Sequence, residues 1–568
     1  MSDNQLAVEV VRGEMQPWSD YNGKRGAVGG PVLRTLLNDV LPAGARTLIL
    51  GPHTADLISA VALRSSAATV LVRSVSDASA LSEQFPDLQV IAGALDGLSG
   101  TEYEAIVAVD GLDRVLGYDS PDLTWPQRLD ALVALCTPST VVVLGLENEF
   151  SLTNLLDARL PANRHGDDDW HPLHDDPARP VSPVQLASEL ARVGLDLHSV
   201  YAAYADRTLL AVDAAAAARP GSFPARLAAE ALESTEVPLL APIADATDTA
   251  ARAGLLASTA SGWLAVAGAA TQPAIYTQAG PAVLTATATP TVWATSIVES
   301  SASDEAPPSE ATARSADAVS FDLSTVPPTV SSGVSVETLL FRLAAAEDVP
   351  AFRALAGRLG EWALAQSGQV VLRWDDTTVD GDSFGFGVSG WVAEAGRAEL
   401  LAAAWARFHE RLIGGHRRHP WPPWMVGDDL ITTWLAMSGG AAEDVARGKE
   451  LAAGLSAALG TGEGQAPDVR TALADAERAK HELFELQGHV FGLERTIGFR
   501  DKALKTRETR LREMRLQVQK ANAERTRFRN SRAFAAATLI RKAALIRNPR
   551  KFAYKVKRRL KKKLGNRF

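Results

Sequence analysis

The segment RTLILGPHTA, residues Arg46–Ala55, contains an apolar run that stops at Gly51 and is followed at once by a helix-like pattern. Such a pattern predicts a β-strand that turns directly into an α-helix. In an open α/β sheet this turn lies at the carboxyl edge of the strand, where the amides of the helix N-terminus hold nucleotides and other polar ligands. The segment therefore predicts both the first strand of a sheet and a candidate ligand site.

Strand-like and helix-like runs alternate from this segment up to about residue 214. After a helix at Pro31–Leu41, strands are predicted at Thr47–Leu50, Thr69–Val72, Leu88–Ala92, Ala105–Asp110 and Thr140–Leu146. This alternation favours a parallel sheet with helices on both faces, and the apolar run VVVLGL is typical of a strand buried on both sides. We therefore predict an α/β fold with a Rossmann-like domain over residues 31–214, preceded by an irregular arm over residues 1–30.

Composition limits the class of protein. The 568 residues are 46% hydrophobic and 22% charged, as in an ordinary globular chain with several cores. Cys136 is the single cysteine, which excludes an intramolecular disulfide and a cysteine-based zinc site. We expect neither a signal peptide nor a membrane-spanning helix, since no apolar run reaches about 18 residues. Arg525–Phe568 holds 17 Lys or Arg and no acidic residue in a chain of net charge −9, which predicts a basic tail with a polyanionic partner.

The order of elements between about Pro31 and Val212 resembles that of class I S-adenosylmethionine-dependent methyltransferases. Arg46–Ala55 corresponds to the glycine motif of that family, and Glu104–Val115 (EAIVAVDGLDRV) corresponds to its acidic fourth-strand motif. Pro138–Leu146 corresponds to the fifth strand. The segment LENEFSLTNL and the later RPVSPVQLASELARVGL are similar to the region after the fifth strand in methyltransferases of O-antigen and cell-surface glycan pathways.

The resemblance implies a set of site residues. S-adenosyl-L-methionine is expected as cofactor around Gly51, His53, Asp77 and Asp110. The catalytic residue beside a sugar hydroxyl is expected to be Glu147, His165 or His171.

Several positions depart from the family pattern. Ile49 stands where the first strand usually carries an acidic residue, and His53 and Ala55 stand where the turn usually has glycines. Arg73 ends the second strand, where an acidic residue accepts the ribose hydroxyls, and a guanidinium has no acceptor. Asp77 replaces that acceptor only if its loop folds back.

A polar insertion, Arg164–Pro180, gathers three His and five Asp around one Trp. His171, His174 and Asp175 are suitable metal ligands, but their spacing matches no zinc motif, so we predict no metal site. We interpret the insertion as a solvated loop that closes over a substrate pocket. His165 or His171 is alternatively a general base, because an imidazole titrates near neutral pH.

The middle of the chain is divided by residues 300–335, which are rich in Ser, Ala, Pro and Thr and predict a flexible linker. Before it, residues 215–299 predict a small α/β subdomain whose strand-like runs form an antiparallel sheet. After it, residues 336–465 are mostly helical and faintly resemble the C-terminal lobe of aminoglycoside-phosphotransferase-like kinases. If Val379–Gly381 marks the hairpin turn, Val371 stands at the position of the catalytic Asp and Asp376 at that of the metal-binding Asn.

Valine neither accepts a proton nor binds Mg²⁺, so this resemblance implies a degenerate kinase-like region without phosphotransfer. A methyltransferase joined to such a region is similar to the layout of the bifunctional enzyme that caps O-antigen chains. The alternative is an unrelated hairpin whose acids are ordinary turn residues, namely Asp375, Asp376, Asp380 and Asp382.

Residues 470–530 predict a coiled coil. Seven position-a residues follow one another at a spacing of seven: Ala476, Leu483, Val490, Ile497, Leu504, Leu511 and Val518. Arg500 and Arg507 fall on position d and weaken the middle. We predict a parallel homo-oligomer, either a dimer or a trimer.

Residues 531–568 form the predicted basic amphipathic tail. Anionic lipid attracts such a segment, and we expect contact through Lys551, Lys555, Lys557, Arg558, Arg559, Lys561, Lys562 and Lys563. Nucleic acid is the alternative polyanion, although no nucleic-acid-binding fold precedes the tail.

Two functions are compatible with these features. The first is a cytoplasmic enzyme, peripheral at the inner face of the cell membrane, that methylates a glycan or a lipid-linked saccharide in cell-envelope polysaccharide biosynthesis. The second is a non-catalytic, membrane-associated scaffold for glycan-assembly enzymes.

Overall fold

The computed structural model describes residues 8–16, 18–21, 26–157, 159, 176–205, 209–211, 222–233, 239, 243–269, 272–298, 319–388, 390–413, 417–422, 425, 427–459, 469–546 and 553–559. The chain forms two compact units, Met1–Glu463 and Gly464–Phe568.

The strands of the described residues all lie in the first unit. They are β1 (Glu9–Val10), β2 (Arg46–Leu50), β3 (Ala67–Val72), β4 (Gln89–Ala92), β5 (Tyr103–Ala108), β6 (Cys136–Glu147), β7 (Leu197–Tyr204), β8 (Leu209–Ala211), β9 (Gly262–Ala267), β10 (Ile275–Ala279), β11 (Ala282–Ala288), β12 (Val292–Val298), β13 (Ser320–Phe321), β14 (Thr329–Ser331), β15 (Val334–Ser335), β16 (Thr378–Asp380), β17 (Ser383–Gly385) and β18 (Trp391–Val392).

The α-helices occur in both units. They are α1 (Pro31–Val40), α2 (Ala55–Arg64), α3 (Val75–Gln84), α4 (Trp125–Val133), α5 (Leu152–Leu156), α6 (Pro183–Arg192), α7 (Phe223–Glu233), α8 (Ile243–Arg252), α9 (Val336–Ala345), α10 (Val349–Ala365), α11 (Arg397–Ile413), α12 (Asp428–Met437), α13 (Val445–Ala458), α14 (Val469–Arg529) and α15 (Arg532–Ile546).

A 13-stranded sheet with the order β1-β4-β3-β2-β5-β6-β9-β7-β8-β10-β11-β12-β14 organises the first unit. The strands from β1 to β6 pair in parallel, with Leu48 opposite Ile106 on one side and Thr69 on the other. The order β4-β3-β2-β5-β6 is that of a doubly wound sheet, and it reverses direction between β2 and β5. The predicted parallel α/β sheet is confirmed for its first five strands.

Both faces of this parallel part are buried, as the apolar strands predicted. In β5, Ala105 and Val107 belong to the core under α1–α3, whereas Ile106 and Ala108 belong to the core under α4 and α6. The alternation follows from the period of two in a strand. The helices therefore hold the carboxyl ends of β2 and β5 in fixed positions.

The N-terminal arm is more ordered than predicted. β1 pairs in parallel with β4, Met15 bridges Ser74, and Val28 bridges His53. In the described residues of the predicted irregular arm, β1 and these two bridges are the regular pairings. The arm is ordered because its backbone forms hydrogen bonds with groups at the edge and ends of the sheet that would otherwise be unpaired.

The predicted subdomain at residues 215–299 does not have a separate sheet. β9 inserts between β6 and β7 of the large sheet, antiparallel to both, and β10–β12 extend the same sheet. In the predicted linker, residues 319–335 contain β14, which pairs with β12, and β15, which pairs with β16. These strands were misassigned because sheet neighbours distant in sequence leave no local pattern.

Helices α9–α13 form a helical lobe, residues 336–459, around an aromatic core that includes Phe352, Trp374, Trp405, Phe408 and Trp434. The predicted hairpin is present: Asp380 lies opposite Ser383 in the pair β16–β17. Whether this lobe is related to kinases stays a prediction.

The second unit contains α14, a single helix of 61 residues, and α15. No helix in the described part of the chain is both long and apolar enough to cross a membrane. The helix agrees with the predicted span, and its assembly into a coiled coil stays a prediction.

Candidate functional site

The candidate site lies at the carboxyl edge of β2 and β5, where the strand order reverses. Gly51 follows β2 with φ +94°, a conformation that favours glycine. A Cβ on Gly51 would lie 3.4 Å from the Cβ of Asp110, which follows β5. The structure thus brings together two residues that were predicted to hold the cofactor.

His53 is fully buried within the β2–α2 turn. Its Nδ1 lies 2.9 Å from the carbonyl oxygen of Gly51, and the hydroxyl of Tyr21 donates to the carbonyl oxygen of His53 at 2.9 Å. Burial raises the pKa of Tyr21, so the phenol is a neutral donor. The imidazole therefore packs inside the turn, under the N-terminal arm.

Arg73, at the end of β3, forms a buried ion pair with Asp20 of the arm. Its Nε donates to Oδ2 at 3.0 Å and its Nη2 donates to Oδ1 at 2.5 Å, and each side chain is 2% exposed. The guanidinium also lies over the ring of Trp18, 5.7 Å from its centroid. The position expected to receive ribose hydroxyls is filled by a protein ion pair.

Asp77 does not replace the missing acceptor. Its carboxylate accepts hydrogen bonds from the hydroxyl of Ser19 at 2.7 Å and from the amide of Asp20 at 2.8 Å. Burial raises the pKa of this carboxyl. The predicted cofactor residue instead holds the arm in place.

The arm runs along three strand ends in succession. The amide of Val11 donates to the carbonyl oxygen of Ala92, the last residue of β4, at 2.9 Å. The amides of Met15 and Val28 donate to the carbonyl oxygens of Arg73 after β3 and Pro52 after β2, at 2.9 and 3.1 Å. The arm therefore covers the edge at which ligands of open α/β sheets bind. Sequence reasoning missed Trp18, Asp20 and Tyr21; their aromatic and acidic character within a polar arm was the available signal.

Asp110 is paired with an arginine four residues further along the chain. Arg114 Nε donates to Oδ2 at 3.0 Å and Nη2 donates to Oδ1 at 2.6 Å, with both side chains buried. A bidentate pair occupies both oxygens of the carboxylate along the guanidinium edge.

A second cluster of charges lies beside the end of β6. Arg179 pairs with Asp113, and Arg128 contacts both Asp113 and the buried Asp176. Arg179 Nη2 also donates to the carbonyl oxygen of Glu147 at 2.9 Å, while the Glu147 residue itself is exposed. Glu147 is therefore placed at the same edge as Asp110.

Other predicted residues are placed less completely. His165 and His171 lie outside the described residues, as do His174 and Asp175 of the metal alternative. Within the described residues no group of three or more His, Cys, Asp or Glu could hold a metal ion. In the tail, Lys555, Lys557, Arg558 and Arg559 lie exposed on helical backbone, whereas Lys551, Lys561, Lys562 and Lys563 lie outside the described part.

The acids of the predicted turn divide into two kinds. Asp382 is exposed and Asp380 lies at the exposed end of β16, as expected for turn residues. Asp376 is only 6% exposed, and Asp375 accepts a hydrogen bond from Arg373 at 2.8 Å. Asp375 pairs with Arg373 and Arg407, and Asp376 pairs with Arg226 of a distant helix. The interpretation as ordinary turn acids is therefore wrong for both.

Comparison with known proteins gives similarities only among solved structures. No protein-family model and no curated protein matches the chain. The N-methyltransferase NodS from Bradyrhizobium japonicum, in complex with S-adenosyl-L-homocysteine, is 17% identical over 21% of this chain and 59% of NodS, with a TM-score of 0.17. The chain thus spans less than two thirds of that protein.

Two further similar structures cover more of their own length. A methyltransferase from Geobacter sulfurreducens with S-adenosyl-L-homocysteine is 17% identical over 44% of this chain and 94% of its own, with a TM-score of 0.24. The glycopeptide N-methyltransferase MtfA with S-adenosyl-L-methionine is 14% identical over 33% and 85%, with a TM-score of 0.22. These neighbours are S-adenosylmethionine-dependent methyltransferases at low coverage and identity.

The residues at the candidate site do not fit S-adenosylmethionine. The adenosine ribose needs acceptors, but Arg73 is a donor and Asp77 and Asp110 are already engaged. His53 fills the turn where the backbone would have to approach the methionine group. The strand order at this edge is one that binds ligands in other α/β sheets, but here its charged side chains pair with one another.

Proposed function

We propose that the chain is a non-catalytic scaffold with a methyltransferase-like head, which self-associates through α14 and binds an anionic membrane through its basic tail. The buried Arg73–Asp20 pair carries this proposal, because it places an internal ion pair where a cofactor acceptor is needed. A fold can persist after its site has changed, so the α/β topology alone does not imply methyl transfer.

Titration calorimetry tests whether the methyltransferase-like domain binds the cofactor. The full chain is titrated with S-adenosylmethionine and with S-adenosylhomocysteine, and no saturable heat is expected from either ligand. Saturable binding at micromolar concentration would overturn the non-catalytic assignment. Thermal midpoints measured with and without each ligand provide an independent check, since any ligand of the native state raises the midpoint.

Self-association rests on the exposed apolar seam of α14. Six position-a residues are 47% to 59% exposed on the isolated helix: Leu483, Val490, Ile497, Leu504, Leu511 and Val518. Burial of such a side chain stabilises a folded state by about 1.5–3 kcal/mol when complete. A second copy of the helix covers the entire seam, because it carries the same spacing of seven.

Sedimentation of the full chain tests the seam. Wild type is expected to exceed the monomer mass of 60.3 kDa, and Leu504→Glu with Leu511→Glu is expected to return it to that mass. Lys505→Glu, next to the seam at position b, is the matched control and should leave the mass unchanged. A monomer mass at every concentration would refute self-association through α14.

Membrane binding rests on the exposed cations of the tail, including Lys555, Lys557, Arg558 and Arg559. Each cation near an anionic surface contributes about 1 kcal/mol, and oligomerisation adds avidity. Flotation with anionic and neutral vesicles compares the full chain with a chain that ends at residue 530. Equal flotation of the two chains would refute the lipid assignment, and retention on nucleic acid instead would favour the other polyanion. The partners that we propose for the scaffold are glycan-assembly enzymes of the cell envelope.

Methyl transfer to a glycan hydroxyl is the second candidate function. The observation in its favour is the topology of the sheet. Gly51, which has a positive φ, lies next to Asp110 where the strand order reverses. The exposed Glu147 ends the neighbouring strand β6. In this alternative the N-terminal arm moves away before the cofactor binds, and Glu147 or a histidine of the insertion lies near the acceptor. Saturable binding in the same calorimetric titration would favour this second function.

A further inference from the structure

A cavity of about 180 Å³ lies inside the first unit, away from the strand edge described above. Its walls are α7, α8, one side of α9, the turn before β16 and the end of α11. This volume has room for on the order of ten water molecules or for one compact organic ligand. Most side chains that face one another across it are charged.

Ion pairs satisfy most of these charges. Arg373 Nη2 donates to Glu230 Oε2 at 2.7 Å, which ties the turn to α7. Arg411 donates to Glu233 at 2.5 and 2.7 Å and to Glu337 at 2.7 and 3.0 Å. These pairs join α7 to the helical lobe and give the cavity fixed polar walls.

Arg226 of α7 is paired through only one of its three nitrogens. Its Nη1 donates to the carbonyl oxygen and to Oδ1 of Asp376, both at 3.1 Å. Its Nε and Nη2 are buried and have no hydrogen-bond partner within the described residues, although only 8% of the side chain is exposed. Oδ2 of Asp376 is also buried without a hydrogen-bond partner within the described residues. Buried polar atoms without partners are rare in folded proteins.

The edge formed by Nε and Nη2 is the one that arginines of this chain use to hold carboxylates. Arg73 binds Asp20 through it, Arg114 binds Asp110 through it, and Arg411 binds Glu337 through it. This planar pair of donors matches the two oxygens of a carboxylate or phosphate. Arg226 has the same edge but no protein acid on it.

We propose that the cavity is a binding site for a small organic oxyanion, whose carboxylate or phosphate is held by the Nε–Nη2 edge of Arg226. Oδ2 of Asp376 accepts a hydrogen bond from a hydroxyl group of the same ligand. The site joins α7 to the helical lobe, so an occupied cavity tightens the contact between them. This inference is independent of the candidate site at the strand edge and of the proposed scaffold function.

Calorimetry on the full chain tests the site with two probes, inorganic phosphate and glucuronate, which separate phosphate from carboxylate. At least one probe is expected to bind saturably to wild type. Arg226→Lys keeps the positive charge beside Asp376 but removes the planar donor edge, and it should weaken binding by about tenfold or more. Absence of saturable binding by either probe, or equal binding by Arg226→Lys, would overturn the proposal.

Arg252→Lys is the matched control, because Arg252 also lines the cavity but its side chain is 55% exposed and pairs with Asp248. Its affinity should equal that of wild type. Hydrogen exchange of wild type gives a readout that needs no variant: the probe that binds should protect amides of α7 and of residues 373–388. Unchanged exchange in these segments at a saturating probe concentration contradicts the proposal.

Discussion

Asp20→Asn perturbs the contact that closes the ligand edge. In wild type the carboxylate of Asp20 accepts two hydrogen bonds from Arg73 and one from the indole of Trp18, at 3.0 Å for the last. Both members of the ion pair are 2% exposed, so the substitution leaves a guanidinium buried without its counter-charge. Removal of one partner from a buried pair costs about 3–5 kcal/mol. The arm should therefore open from about a hundred to several thousand times more often, since each 1.36 kcal/mol is a factor of ten.

Hydrogen exchange with mass spectrometry measures this opening. Amides of Val11, Met15 and Val28, which donate to the strand ends, should exchange faster by that factor, while amides inside β5 and β6 remain protected. Asp130→Asn removes an acid from a pair with 53% and 41% exposed side chains and should leave exchange unchanged. Equal protection of the arm in Asp20→Asn and wild type would refute the assigned role of the ion pair.

Three further perturbations test other parts of the structure. Gly360→Ala should lower the free energy of unfolding of the helical lobe by several kcal/mol in urea, because its Cβ would lie 1.8 Å from the carbonyl oxygen of Ser438. Gly357→Ala, one turn earlier, is the control: its Cβ would lie 3.7 Å from the nearest atom, so the free energy of unfolding should stay the same or rise by up to about 1 kcal/mol. Burial raises the pKa of Asp376 to about 6, so the native state binds the carboxyl proton more tightly than the unfolded chain does. The stability of wild type relative to Asp376→Asn should therefore fall as pH rises from about 4 to 6, which urea midpoints of the two proteins would measure. Tyr21→Phe removes the hydrogen bond to His53 and should accelerate exchange of the arm less than Asp20→Asn does, since a neutral hydrogen bond contributes about 1 kcal/mol.

The parallel strands were predictable because their signal is local. β2 through β6 are largely apolar runs that contain many β-branched residues and are bounded by turns, and burial on both faces removes the need for alternation. Gly51 was likewise visible as the end of the first run. The heptad spacing predicted the span of α14 for the same reason: the periodicity is contained within the segment that forms the helix.

The closed edge was not predictable, because its contacts join residues that are far apart in sequence. Asp20 and Arg73 are separated by 53 positions, and Arg226 and Asp376 by 150. A polar arm and an acidic turn have the same local pattern whether they lie in solvent or are buried against an arginine. β9 was assigned to the wrong sheet for the same reason, since its neighbours β6 and β7 are identified only by three-dimensional pairing.

The cost of opening the arm also distinguishes the two proposed functions quantitatively. If opening costs about 4 kcal/mol, only about one molecule in a thousand has an accessible edge, and the apparent affinity of any ligand there is reduced by the same factor. Under the methyltransferase alternative, Asp20→Asn removes most of this penalty and should strengthen S-adenosylmethionine binding by up to about a thousandfold.

Under the scaffold proposal the same substitution opens the arm without creating an acceptor for the ribose, because Arg73 remains a donor and Asp110 remains paired with Arg114. Titration of Asp20→Asn with S-adenosylmethionine, alongside its hydrogen exchange, is therefore the sharpest test. An arm that opens while binding stays absent supports the scaffold. An arm that opens together with newly measurable binding identifies an S-adenosylmethionine site that the arm keeps closed and contradicts the scaffold proposal.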